Sequence, residues 1–513
     1  MSVYLGIDLG TTGLKALLIR EDGTICGTGY RQYSISIPVT GYAQQHPEDW
    51  WAALKESLAD ALDNSGVKSS DIAGIGLSGQ MHGMVLTDKN DRLLYPAIIW
   101  CDQRSSEQVA MVQEIIGREK LGEWTQNPVC VGFQLCSLLW IRCHRPDIYE
   151  KICHVLLPKD YIRFLLTGEY GTEPTDACST LMFDCARQDW SAPLLEALNI
   201  DRRLLPDANH LPTDVHGTLT ASAAADLELR PGIPVVFGGG DQPMQAIGNG
   251  ILMPGCVSIT LGTGGQIFAP VGNPVYDPKL RTHTFCHATP NTWYVMGAIL
   301  NCCLAQNWFF DKVLGVHGYG DMHDLAAKSA PGSDGLFFLP YLTGERTPYM
   351  DPQARGIFFG LTLGHDRASM TRAVVEGISY ALSDAMECME KLIPHTDRLV
   401  LSGGGARSAL WKQIIADMLD QPIYTSSMTE EASVGAAVCA MVGTGAYASL
   451  SEACKAIVHY EDGFVAPIHS HREFYHEQRE VYRELYRVNH TLFSQCGKAR
   501  VKTERSLNAS SNY

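Results

Sequence analysis

Hydrophobic alternation opens the chain. In "VYLGIDLGTTGLKALLI", Leu5, Ile7 and Leu9 fall on one face of a strand, and Gly6, Asp8 and Gly10 fall on the other. The turn Gly10-Thr11-Thr12-Gly13 returns the chain as a second strand, and "EDG" leads into a third, "TICGTGYRQYSI", so three antiparallel strands are expected. Helical spacing of Trp51, Leu54, Leu58 and Leu62 predicts a helix over "PEDWWAALKESLADALDNSG", stopped by Gly66. The apolar run "IAGIGLSGQMHGMVLTD" reads as a strand broken by a polar loop. Helical periodicity follows from about Ser105 to Thr167, and the first half closes with "GIPVVFGGGDQPMQAIGNG".

The second half repeats this order. "CVSITLGTGGQIFAPV" is again a strand, a Gly-Thr-Gly turn and a strand, and "DRLVLSGGGARSALWKQIIADML" echoes "GIPVVFGGGDQPMQAI". Two echoes in matching order predict a duplicated α/β unit. The expected boundaries are 1–250, 251–495 and a basic, then polar, unordered tail over 496–513.

Composition narrows the function classes. A chain of 513 residues exceeds one hydrophobic core, and 45% hydrophobic with 19% charged residues describes a compact globular protein. A formal charge of −16 argues against nucleic acid or an anionic membrane as partner, so any polyanion site has to be built locally. The 16 cysteines lack C-x-x-C pairs, and no leader or membrane-length apolar run is evident. Reduced thiols packed as small apolar groups, in a soluble cytoplasmic protein, are therefore expected.

The bare face of the first strand carries one carboxylate, Asp8. Its turn reads either as an ordinary hairpin or as a phosphate grip of amides and threonine hydroxyls with Asp8 facing Mg²⁺. It matches neither a P-loop nor G-x-G-x-x-G before a helix. Asp241 ends "VVFGGG" at the carboxyl edge of a sheet, and reads either as a helix N-cap or as a base beside a ligand. Phosphoryl transfer to an alcohol needs a metal site and a base, and the two aspartates supply both. "SGQMHG", with Gln80, Met81 and His82, and "WCDQRS", with Asp102, add polar groups suited to a polyhydroxylated acceptor. The glycines of "SGGGARS" let a flat ligand approach the backbone.

"GIDLGTTGLK", "SGQMHG", "LLPKDYIRFLLTG", "GGGDQPMQAIG", "LGTGG", "FLPYLTGERTPY" and "SGGGARSALWKQIIADML" occur in one order, and in this the chain resembles the FGGY carbohydrate kinases from Tyr4 to about Gly445. The resemblance implies two duplicated actin-like (ribonuclease H-like) α/β domains with a catalytic cleft between them. It implies ATP and Mg²⁺ as cofactors and a sugar acceptor, closest to members that phosphorylate D-xylulose on O5. Members acting on ribulose, fuculose, gluconate or glycerol are the alternatives. By resemblance Asp241 is the general base, Asp8 acts on Mg²⁺, and Met81 and His82 contact the sugar; Gln80, Asp102 and Gln242 are further candidate sugar contacts. Thr11, Thr12, Lys15, Thr263 and Gly264 face phosphates, and Gly403, Gly404 and Gly405 line the adenosine. A homodimer is the partner expectation, with no nucleic acid and no membrane.

Two positions depart from the family pattern. Gln242 stands where asparagine often follows the catalytic aspartate, and the second hairpin reads GTGG where many members have GTSG. The rival classes are a chaperone-type ATPase, which needs no "SGQMHG", and a sugar-binding regulator, against which the retained Asp8 and Asp241 count.

Overall fold

The three-dimensional structure is a computed structural model that describes residues 2–316 and 319–510. It divides into two compact units. The first comprises Met1–Pro254, Pro270–Val295 and Ser427–His459; the second comprises Gly255–Ala269, Met296–Ser426 and Tyr460–Tyr513. A linear boundary at 250 does not anticipate the two later segments that join the first unit.

The first unit is built on a seven-stranded sheet. β1 (Val3–Leu9), β2 (Gly13–Arg20) and β3 (Ile25–Gln32) form the expected antiparallel meander. Helix α1 (Pro47–Ser65) begins with Pro47 in its first turn and ends on Gly66 at φ 65°, a left-handed cap that glycine adopts without cost. β4 (Ile72–Gly79) lies parallel to β1. β5 (Val215–Thr218), β6 (Pro234–Val236) and the two-residue β7 (Gly239–Gly240) complete the sheet, in the order β5-β6-β4-β1-β2-β3 with β7 also beside β4. Helix α2 (Asp241–Gly248) follows β7 directly.

Packing explains the uneven faces of β1. Leu5, Ile7 and Leu9 are buried in one core with Trp50, Leu54 and Leu58 of α1, each fully buried side chain contributing about 1.5–3 kcal/mol. The opposite face is covered by the helix Glu431–Gly443 at backbone distance. A Cβ on Gly6 would stand 2.0 Å from the Ser433 carbonyl oxygen, and one on Gly76 of β4 would stand 1.8 Å from that of Ala436. The bare face beside Gly6 therefore accommodates a helix rather than a ligand, and Asp8 lies at the end of the strand near Glu430, just before that helix begins.

The second unit reuses the plan. β8 (Cys256–Leu261) and β9 (Gly265–Val271) form an antiparallel hairpin; after α3 (Arg367–Met389), β10 (Arg398–Ser402) pairs parallel with β8. α4 (Ala409–Leu419) and β11 (Ile423–Thr425), which pairs parallel with β10, follow. In each unit a Gly-Thr hairpin therefore sits beside a parallel strand, the geometry expected of a duplication. The last helix, α5 (His469–Ser510), is held by buried Tyr475 and Tyr482. Arg372 Nη2 donates to Tyr475 Oη at 3.1 Å, and Tyr475 Oη donates to Glu376 Oε1 at 2.7 Å. Where composition suggested no order from residue 496, the backbone is helical as far as Ser510, and 511–513 lie outside the described residues. Among the described residues, no helix is long and apolar enough to cross a membrane.

Candidate active site

Asp8 and Asp241 come together at the carboxyl end of β4. Asp8 is in register with Ser78 of β4, and Gly240, the residue before Asp241, is in register with Gly79. Ser78 Oγ donates to Asp8 Oδ1 at 2.7 Å. Burial raises the pKa of Asp8, against which the Ser78 bond and the Lys15 ammonium act, while Glu430 raises it further. Lys15, expected at phosphates, forms an ion pair with the Glu430 carboxylate.

Gly240 is the N-cap of α2, so Asp241 is the first helical residue and not the cap. Its carboxyl is pushed up to about 7, first by burial and then by the charge of Asp8. Gln242, through its backbone N–H and its side-chain amide, donates to Asp241 and pulls the value back. In this structure the longer amide thus serves the aspartate. The glycines before Asp241 are sterically required: a Cβ on Gly240 would stand 2.8 Å from Met81 Cγ.

That contact brings the "SGQMHG" loop to Asp241. His82 has φ 72°, an uncommon conformation for a non-glycine residue, and Ser179 holds it there. The His82 backbone N–H donates to Ser179 Oγ at 3.1 Å, and its Nδ1–H donates to the Ser179 carbonyl at 2.8 Å. The ring lies tilted against Phe133, with centroids 3.9 Å apart. Gln80 is buried; its Nε2 donates to Gln45 Oε1 at 2.9 Å, and its Oε1 has no hydrogen-bond partner among the described residues. Asp102 is placed differently. It is fully buried, accepts from the Ala43 N–H at 2.6 Å and the Arg104 N–H at 2.9 Å, and is paired with the Arg104 guanidinium at 2.8 Å. Its oxygens are engaged by Ala43 and Arg104 in fixing the loop.

In the first hairpin, Thr11 Oγ1 accepts from Trp100 Nε1 at 2.8 Å and the Thr11 carbonyl accepts from Gln45 Nε2 at 2.7 Å, while Thr12 is exposed. In the second unit Thr263 is exposed at the tip of its hairpin. Gly403 and Gly405 pack against Leu261, whereas a Cβ on Gly404 would meet nothing within 4 Å. Gly404 is therefore the open member of the triple glycine. Glu345 of "GERTP" is a buried pin, accepting from the Leu300 N–H at 2.8 Å and the Arg346 N–H at 2.7 Å.

The duplication extends to the site. Thr260 and Ser402 hold the register positions in the second unit that Asp8 and Ser78 hold in the first, with their hydroxyls 3.1 Å apart. Only the first copy carries an acid, so the charge chemistry is confined to one unit. The residues not singled out from sequence are the supports: Ser78, Glu430, Gln45, Ser179 and the segment from Glu173. Lys159 and Asp160 of "PKDY" meet Glu173, Asp176 and Arg163 in a wholly buried charge network. Arg163 is a local i,i+3 partner of Asp160, whereas Glu173 and Asp176 lie beyond that helix and no local spacing marks them.

Two sheet-bearing domains, each with a Gly-Thr hairpin beside a parallel strand, define the two-domain actin-like ATPase fold. The chain matches the N-terminal domain of the FGGY family of carbohydrate kinases over residues 3–248 and the C-terminal domain over residues 257–444. It is 34% identical over 502 residues to the "Xylulose kinase" of Lactococcus lactis, covering 96% of this chain and 99% of that one. A crystal structure of "a xyloylose kinase from Brucella ovis" superimposes with a TM-score of 0.89 at 35% identity, over 96% of this chain and 100% of the other. That of "gluconate kinase from Lactobacillus acidophilus" superimposes with a TM-score of 0.91 at 26% identity, over 96% and 99%. The chain belongs to the FGGY family of carbohydrate kinases. It is a kinase whose substrates are a sugar and ATP.

Proposed function

We propose that the sugar is D-xylulose and that Asp241 is the general base for transfer of the γ-phosphoryl group of ATP to O5. The observation that carries the mechanism is the pairing at the end of β4: Asp241, its carboxyl raised to about 7, senses the charge of Asp8. A carboxylate of that basicity accepts a hydroxyl proton near neutral pH, a contribution of about 10²–10⁴ in rate. The sugar oxygen bonds to phosphorus, the bond from phosphorus to the β,γ-bridging oxygen breaks, ADP leaves, and the proton passes to Asp241. Gln80 Oε1, Met81 and His82 orient the acceptor, and Thr12 faces the phosphates.

The donor set suits Mg²⁺. Asp8, Glu430 and Asp241 interact as like charges, with Lys15 as the opposing cation, and hard carboxylate oxygens match a small divalent ion. Asp8, steadied by Ser78, would hold the ion, which when bound neutralises phosphate charge.

Xylulose is supported by the relatives' names and near-complete coverage. The fold by itself is equally compatible with gluconate, given the similarity to the gluconate kinase. ADP release across ketoses, polyols and aldonates is the test. D-xylulose is expected to give the highest kcat/KM, and a clear preference for another acceptor refutes the substrate while leaving the kinase intact.

A further inference from the structure

Cys178, Cys185 and Cys286 are scattered in sequence but meet in the first unit. All three are buried, and their Sγ atoms lie within 4.8 Å of one another. Metal–sulfur bonds of about 2.3 Å place the sulfurs of a thiolate-bound ion about 4 Å apart, so the three are near ligand spacing already. Among the described residues no fourth histidine, cysteine or carboxylate joins the group at that distance.

We propose that Cys178, Cys185 and Cys286 form a three-thiolate site for a soft, thiophilic cation, and that its occupancy restrains the catalytic loop. Soft sulfur ligands select such ions over Mg²⁺, which keeps this site distinct from Asp8. Binding a divalent ion forms three metal–sulfur bonds, breaks three S–H bonds and releases three protons, with no change of oxidation state. The site goes from neutral to a single negative charge. The thiols of Cys178, Cys185 and Cys286 donate to the carbonyls of Thr175 at 3.3 Å, Thr284 at 3.3 Å and Cys185 at 3.7 Å, bonds that ion binding gives up, while the sulfurs of Cys178 and Cys185 accept from the Cys286 N–H at 3.4 Å and from Asn127 Nδ2 at 3.7 Å. Such second contacts stabilise thiolate ligands.

The link to catalysis is short. Cys178 lies between Thr175 and Ser179. Thr175 Oγ1 accepts from the N–H of Gly240, next to Asp241, at 3.2 Å. Ser179 anchors His82 through two hydrogen bonds. A cation pulling Cys178 toward Cys185 and Cys286 shifts both supports together. This second half rests on the proposed roles of Asp241 and His82; the binding site itself does not.

The test uses the full-length, fully reduced protein titrated with Cd²⁺ in excess Mg²⁺. Wild type is expected to bind one equivalent with thiolate-to-cadmium ultraviolet absorption, and to lose at least tenfold in phosphorylation rate. Cys185→Ser and Cys286→Ser are expected to lose the band and to change less than twofold in rate on Cd²⁺ addition; Cys143→Ser, at an exposed cysteine, keeps the wild-type response. Should the serine variants fail to fold, X-ray absorption on Cd²⁺-loaded wild type decides: three sulfurs around cadmium support the site, and an oxygen or nitrogen shell overturns it. A band that survives in the serine variants also overturns the site. Binding without inhibition overturns the coupling alone.

Discussion

Ser78 donates its hydroxyl to Asp8 across two parallel strands, and the same register in the second unit pairs two neutral hydroxyls, Thr260 and Ser402. The bond lowers the pKa of a half-buried carboxylate that burial raises. Ser78→Ala removes it, at about 1 kcal/mol, and leaves Asp8 more readily protonated. The expected result is a roughly fivefold rise in the Mg²⁺ concentration needed for half-maximal rate, with sugar KM changed less than twofold. An unchanged Mg²⁺ midpoint contradicts the role given to Asp8.

Asp241→Asn removes the base but keeps the shape. Phosphorylation is expected to fall by about 10²–10⁴, with ATP affinity measured calorimetrically within a few-fold of wild type. Stability should move the other way. Because the carboxyl is raised from 3.8 to about 7, the folded protein binds more protons than the unfolded chain in that window, so its stability falls as pH rises through it. Asparagine carries no such charge. The variant is expected to melt above wild type at pH 8 and to converge with it near pH 4.

The pH profile follows from the same group. Asp241 must be ionised to accept a proton, so kcat/KM is expected to climb with pH through an apparent pKa of about 7 and then level. A rising limb centred near 4, the ordinary carboxylate range, shows that another group sets the rate.

Much of this was legible along the chain. Alternation in β1, the periodicity of α1 and the two Gly-Thr hairpins each depend on residues close in sequence, which is why they could be read there. Asp8 and Asp241 stood out because a lone carboxylate in a glycine-lined strand end has few structural uses. What could not be read was partnership across the chain. The pairing of Lys15 with Glu430, and of Asp102 with Ala43, joins residues that no local spacing connects. The Gly6 face looked vacant until the helix Glu431–Gly443 filled it. Three unevenly spaced cysteines gave no hint that they share one buried spot.

Gly435 tests whether that helix positions the site. It lies inside the helix Glu431–Gly443, where alanine is intrinsically better than glycine by about 1 kcal/mol. A Cβ there would stand 1.9 Å from the carbonyl oxygen of Met244, in α2, the helix that begins with Asp241. Backbone cannot give way as a side chain can, so the clash outweighs propensity, at about 1–3 kcal/mol. Gly435→Ala is expected to lower both the melting temperature and kcat. Gly272→Ala, where an added Cβ meets nothing within 4 Å, should change neither. If Gly435→Ala melts at or above wild type, propensity has won and the two helices are not held at backbone contact.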